Sequence, residues 1–119
     1  MILVVDDEAA IAEVIGSVLE DEGYTVATAP DGQAALALLR DEASRPCLAF
    51  LDLMMPGMNG WELREAMLAD PSLASVPVVI LSAFTAGDMG SLRPAAVVQK
   101  PFQLDRIVEL AALHCAQAR

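Results

Sequence analysis

The stretch Cys47-Leu48-Ala49-Phe50-Leu51-Asp52-Leu53-Met54-Met55-Pro56-Gly57-Met58-Asn59-Gly60 is an apolar run that ends on a carboxylate and opens into a loop of proline and glycine. An unbroken apolar run of this kind, without alternation, fits a strand buried on both faces, as in a parallel sheet. Asp52 closes the run, and Asn59 is placed to cap a helix starting near Trp61. The same grammar opens the chain, where Ile2-Leu3-Val4-Val5 is followed at once by Asp6-Asp7-Glu8. It returns at Val76 to Leu81, which ends on Ser82, and at Ala96 to Val98, which precedes Gln99-Lys100-Pro101. Tyr24 to Ala29 reads as one more strand, with Pro30-Asp31-Gly32 as the turn that opens a helix.

Helical spacing fills the intervals. Ile11, Val14, Ile15, Val18 and Leu19 predict one buried stripe, stopped at Gly23, and Leu36 with Leu39 marks the apolar face of the next helix. The helix after Asn59 should end around Asp70-Pro71. Leu104, Ile107, Val108, Ala111 and Cys115 define a final amphipathic helix, leaving Leu110 and Leu113 off its stripe as expected exposed leucines. Phe84 to Pro94 carries Gly87, Gly90 and Pro94 among few apolar residues, so a fourth helix there should be short or irregular and the least stable segment. Strands alternating with helices predict an α/β chain: a single domain over residues 1–119, its parallel sheet covered on both faces.

Composition narrows the function. A chain of 119 residues that is 55% hydrophobic has material for one buried core. Its 17 acids against 7 bases, net charge -10, supply no basic stripe, so direct nucleic-acid binding is not expected. The apolar runs are far shorter than a bilayer requires and no basic-then-apolar leader is read, which predicts no membrane insertion and a cytoplasmic location. Cys47 and Cys115 are the only cysteines, form no CxxC or Cys/His cluster, and are expected as buried thiols of a reducing compartment. His114, the only histidine, is assigned no role, and Trp61 fits a partner contact beside the loop or packing over its helix start equally well.

If the strands lie parallel, their carboxyl ends meet along one edge and place Asp6, Asp7, Asp52, Ser82 and Lys100 in a common crevice. Clustered carboxylates repel and raise one another's pKa, so they call for a compensating cation, and oxygen ligands favour magnesium or manganese over zinc. Lys100 is the only lysine in the chain, which makes its place opposite three acids informative. A metal, an ammonium and a hydroxyl around one carboxylate suit in-line phosphoryl transfer, with Asp52 as nucleophile.

Val4-Val5-Asp6-Asp7-Glu8, the run from Leu51 to Gly60, Leu81-Ser82-Ala83 and Lys100-Pro101-Phe102 together resemble the receiver domains of response regulators, over essentially the whole chain. The resemblance implies a flavodoxin-like (βα)5 fold, a doubly wound five-stranded parallel sheet in the order 2-1-3-4-5. It implies that Asp52 accepts a phosphoryl group from a histidine kinase or a histidine phosphotransfer protein, and that a downstream protein reads the resulting conformational change. It further implies magnesium ligation by Asp7, Asp52 and the Met54 carbonyl, with Asp6 assisting through water, while Ser82 and Lys100 hold phosphoryl oxygens. A cis Lys100-Pro101 peptide is also implied. Val97 stands where the family often has an aromatic relay residue, and the interval from Ser82 to Lys100 is short, so the usual relay and partner surface are expected to be altered. Met54 and Phe84 flank the expected phosphoryl position, where their apolar bulk should slow hydrolysis.

Two rival readings stand beside this resemblance. A pseudo-receiver would keep the fold as a binding module without phosphorylation. An aspartyl-nucleophile phosphatase of the haloacid dehalogenase type needs a DxD pattern after the first strand, and adjacent Asp6-Asp7 does not supply it. A dinucleotide-binding fold would show GxGxxG there, and none is present. With no output domain read beyond Arg119, the expectation is either a stand-alone regulator or the receiver of a larger protein such as a hybrid kinase.

Overall fold

The computed structural model describes residues 1–41, 45–55, 57–82, 93–100 and 102–115. In chain order the elements are β1 (Ile2–Val5), α1 (Ala9–Asp21), β2 (Val26–Ala29), α2 (Gly32–Arg40), β3 (Leu48–Asp52), α3 (Gly60–Ala69), β4 (Val78–Ser82), β5 (Ala96–Gln99) and α4 (Leu104–His114). All strand pairs are parallel and the sheet order is β2-β1-β3-β4-β5. This is the flavodoxin-like arrangement, with the chain reversing its winding direction beside β1 and β3. The short or irregular helix expected within Phe84 to Pro94 falls mostly on residues 83–92, outside the described residues, as does Pro101 of the Lys100-Pro101 peptide.

Two apolar layers explain why the three central strands are nearly continuous in hydrophobic character. On one face Leu3, Val5, Leu51 and Ile80 meet Leu36, Leu39, Leu63 and Met67 from α2 and α3. On the other, Ile2, Val4, Phe50 and Leu81 meet Ile15, Leu19, Ile107 and Leu110 from α1 and α4. Alternate residues of each central strand thus serve opposite layers, and burial of both sets on the sheet is the main favourable contribution to the fold.

Helix ends follow local chemistry. Asn59 accepts from the Glu62 N–H at 3.0 Å while Glu62 Oε1 accepts from the Asn59 N–H at 3.3 Å, a reciprocal capping box that fixes where α3 begins. Asp31 caps α2 by accepting from Ala34 N–H at 2.8 Å. After α1, Gly23 adopts φ 97°, and Tyr24 N–H reaches back to the Leu19 carbonyl at 3.1 Å, closing the helix in a left-handed turn that glycine adopts without strain.

Several expectations are corrected. The α1 stripe is narrower than its spacing predicts: Ile15 and Leu19 are buried with Ala12 and Gly16, but Val14 is 49% exposed because it lies at the edge of the arc facing the sheet. Tyr24 and Thr25 precede β2 rather than belonging to it, since the turn after α1 uses Tyr24. Leu110 is buried, not exposed: it lies three residues after Ile107 on the arc that faces the sheet, whereas Leu113 is 73% exposed. The largest correction concerns the cysteines. Cys47 and Cys115 form a disulfide, with Cα atoms 5.5 Å apart despite 68 residues of separation. The helix α4 returns from the carboxyl edge of the sheet toward its amino edge, so its end arrives beside the residue that precedes β3.

Candidate functional site

The carboxyl edge of the sheet gathers the acidic residues because two adjacent parallel strands end there. β1 ends at Val5 and delivers Asp6 and Asp7, while Asp52 is itself the last residue of β3. One carboxylate oxygen from each of Asp6, Asp7 and Asp52 lies within 4.8 Å of the others. Asp6 and Asp52 are buried, at 2% and 4% exposure, whereas Asp7 faces solvent. The donors are all hard oxygens around a common point, and their size and chemistry suit a metal ion.

Lys100 enters from the loop after β5. Its Nζ is 3.1 Å from Asp6 Oδ2 and 3.6 Å from Asp52 Oδ2. The other oxygen of Asp6 accepts from Glu8 N–H at 2.9 Å, so the Asp6 carboxylate is held from two sides. Asp52 is held by its own loop, with Met54 N–H donating to its Oδ1 at 3.3 Å. Met54 projects outward, 58% exposed, at the rim of the cluster. Ser82 is buried at the end of β4, one residue beyond the pairing of Leu81 with Asp52, and its carbonyl accepts from Lys100 N–H at 2.7 Å. Phe84 lies outside the described residues.

Electrostatics distinguish the members. Burial, reinforced by the charge of Asp6, pushes the Asp52 carboxyl from 3.8 up to about 6, against the pull of Lys100 and the Met54 N–H. For Lys100, burial disfavours the charge, but its hydrogen bond to Asp6 and the charges of Asp52, Asp6 and Glu8 outweigh that, and its pKa is raised. The ammonium therefore stays charged and partly neutralises a cluster that would otherwise shed its negative charge.

Sequence reasoning missed the parts that hold the loop in place. Gly60 opens α3 against the end of β3: a Cβ there would stand 2.7 Å from Leu53 Cα and 3.1 Å from the Asp52 carbonyl carbon. Only glycine permits that approach. A glycine at the first helical position, where better helix formers exist, was the available signal. The Gly32 N–H also donates to the Met58 carbonyl at 3.0 Å, tying the same loop to the start of α2. Arg64, although 2% exposed, lies on α3 and donates to the carbonyls of Val76 and Arg93 at 3.5 and 3.2 Å, stitching α3 to the segments that lead into β4 and β5. Burial, then repulsion from Arg93, lowers its pKa. Its position next to Leu63 and three residues before Met67, on the buried arc, was the hint.

Known proteins share both the sequence and the backbone. The response regulator receiver domain model matches residues 2–112. Over 84 residues the chain is 46% identical to the DNA-binding response regulator MtrA of Mycobacterium tuberculosis, a stretch covering 71% of this chain and 35% of that protein. The chain thus spans about a third of the length of that curated relative, whose name describes the whole protein. Among solved structures, the chemotaxis protein CheY4 of Vibrio cholerae superposes with a TM-score of 0.85 at 26% identity, covering 96% of this chain and 97% of that one. The response regulator TrrA of Thermotoga maritima, solved in complex with Mg2+ and BeF, gives 0.82 at 30% identity, covering 96% of this chain and 97% of that one. Acidic strand edge, strand order and sequence agree: the chain belongs to the response regulator receiver domains of two-component signalling.

Proposed function

We propose that this receiver is a phospho-accepting switch, in which Asp52 takes a phosphoryl group from the phosphohistidine of a histidine kinase or a histidine phosphotransfer protein. The observation that carries the proposal is the convergence of Lys100 on Asp52 at 3.6 Å beside the Asp6 and Asp7 carboxylates. An Asp52 oxygen forms its bond to phosphorus as the phosphorus–nitrogen bond to the donor imidazole breaks, the electron pair remaining on that nitrogen. Asp6, Asp7, Asp52 and the Met54 carbonyl would hold a magnesium ion, for which manganese could substitute, and which, when bound, draws charge from the phosphoryl oxygens. Lys100 exchanges its contact with Asp6 for a phosphoryl oxygen, and Ser82 offers a hydroxyl to another. The chemistry ends in a changed state of the protein itself, not in turnover of a released substrate.

Access from the donor is supported by an apolar groove of about 680 Å³ lined by Ala10, Ile11, Val14, Phe102 and Leu104 together with Lys100. A donor histidine must come within bonding distance of Asp52, so the helix that bears it has to rest on the surface beside the cluster. Lys100 both lines this groove and contacts Asp6 and Asp52, so the groove is an apolar surface of that kind. No helix among the described residues is long and apolar enough to cross a membrane. A cytoplasmic location is part of the proposal.

Incubation with acetyl phosphate, with and without magnesium, tests the chemistry on wild type and Asp52→Ala. A single acid-stable, hydroxylamine-labile phosphoryl group that needs both magnesium and Asp52 supports the switch. Unlabelled wild type under conditions that label other receivers would leave a binding module instead.

A further inference from the structure

We propose that Cys47 and Cys115 form a reversible thiol–disulfide site for low-molecular-weight disulfides, pinning the end of α4 to the start of β3 when oxidised and releasing it when reduced, with the carboxylate cluster competent in both states. The sulfurs sit on backbones that main-chain hydrogen bonds bring near one another without the bond. Cys47 N–H donates to the Met1 carbonyl at 2.9 Å at the head of the sheet, and Cys115 N–H donates to Ala111 at 2.8 Å in the last turn of α4. Their Cα atoms, 5.5 Å apart, lie within the span a disulfide requires. Cys115 is a buried member of the second apolar layer and Cys47 packs against it, so with the bond open both thiols remain small apolar parts of that layer and the core stays in place. A pair held close by an independent scaffold closes and opens without refolding.

Access is unequal. Cys115 is 6% exposed, whereas Cys47 is only partly buried. Cys47 therefore meets the incoming reagent and Cys115 resolves the intermediate. In the first step the Cys47 thiolate attacks a small disulfide RSSR, forming a mixed disulfide and releasing one thiolate, which takes up a proton. In the second, Cys115 loses its proton and displaces the remaining RS⁻ from Cys47. The two protein thiols are oxidised by two electrons and RSSR is reduced to two RSH. The chain has no third cysteine to divert the exchange. The bond sits before Leu48, at the opposite end of β3 from Asp52, roughly 16 Å away at the usual rise of a strand. Its closure therefore acts on the last turn of α4, where Leu113 is 73% exposed and a helix end frays most readily.

The test equilibrates folded protein in reduced and oxidised glutathione, traps free thiols with an alkylating agent, and follows amide exchange and acetyl phosphate labelling in each state. The expected result is two trapped thiols in the reduced form and none in the oxidised form, interconverting without unfolding. Amides at Leu113 to Cys115 should exchange about tenfold faster when reduced. C47S and C115S, with C47A and C115A as second variants, should show the fast exchange in any buffer. Resistance to reduction until the protein unfolds, failure to close, or equal exchange in both states overturns the proposal. So does labelling of Asp52 in only one state, whereas absence of labelling in both states counts against the phosphoryl switch and leaves the thiol result to be judged by exchange alone.

Discussion

The Lys100 ammonium lies nearer to Asp6, at 3.1 Å, than to Asp52, at 3.6 Å. The residue expected to grip a phosphoryl group is thus already engaged, as counter-ion to a carboxylate it must leave. Lys100→Ala removes that counter-ion from a pair that is 15% and 0% exposed at its side chains. Metal-free protein should lose about 2 kcal/mol of stability at neutral pH, since one buried charge is left without its partner. Magnesium should bind more tightly, because no ammonium competes for Asp6. Acetyl phosphate labelling should nevertheless fall at least about tenfold, as a group acting on the phosphoryl oxygens is gone. Urea melts, magnesium titration and labelling rates check the three effects separately, and unchanged labelling would remove Lys100 from the chemistry.

Asp52 sets an acid-side signature in the absence of metal. Its carboxyl is raised to about 6, so between the unfolded value of 3.8 and that point the folded chain binds more protons than the unfolded one. Stability from this group is therefore highest at low pH and declines as pH rises through the window, a difference of at most about 3 kcal/mol. Asp52→Asn keeps the volume and abolishes the titration. It should stabilise metal-free protein at about pH 7.5, keep roughly half of that advantage at about pH 5 and lose it below the unfolded value of 3.8, measured by urea unfolding across that range. A variant equally stable or less stable at the higher pH contradicts the account.

Gly60 tests how closely the loop must sit. Its missing Cβ would meet backbone atoms of Leu53 and Asp52, which cannot rotate aside as a long side chain can. Gly60→Ala should cost about 2–3 kcal/mol in urea unfolding and slow labelling of Asp52 by displacing the strand end that bears it. Full stability with normal labelling would show that α3 can shift without consequence.

Much of this architecture is legible in the chain because the same signals repeat. Unbroken apolar runs mark buried parallel strands, and the carboxylate that ends each of two runs marks the edge where the site forms. Asn59 and Asp31 announce their helices by capping chemistry. What stays hidden depends on distance in space. Nothing near Cys47 or Cys115 in sequence reveals that α4 returns to the start of β3. Leu110 was misplaced because a stripe drawn through Leu104 and Val108, both only half-buried, is rotated away from the arc that packs. The role of Arg64 stays hidden because its partners, the carbonyls of Val76 and Arg93, are supplied by the segments leading into other strands.

Met54 offers the last test, on the lifetime of the phosphorylated state. Its N–H reaches Asp52 at 3.3 Å while its side chain stands 58% exposed at the rim, so the backbone holds the acceptor and the side chain borders the path of an attacking water. An apolar side chain there gives that water no hydrogen-bond partner. Met54→Asn keeps the backbone contact, exchanges the thioether for an amide that can orient water, and lies outside both apolar layers. Stability should change by less than about 0.5 kcal/mol, as for other surface substitutions. Loss of label from the purified phosphoprotein should accelerate several-fold, a barrier change of about 1 kcal/mol. Decay no faster than wild type, at unchanged stability, would mean that water reaches the phosphoryl group along a path this side chain does not border.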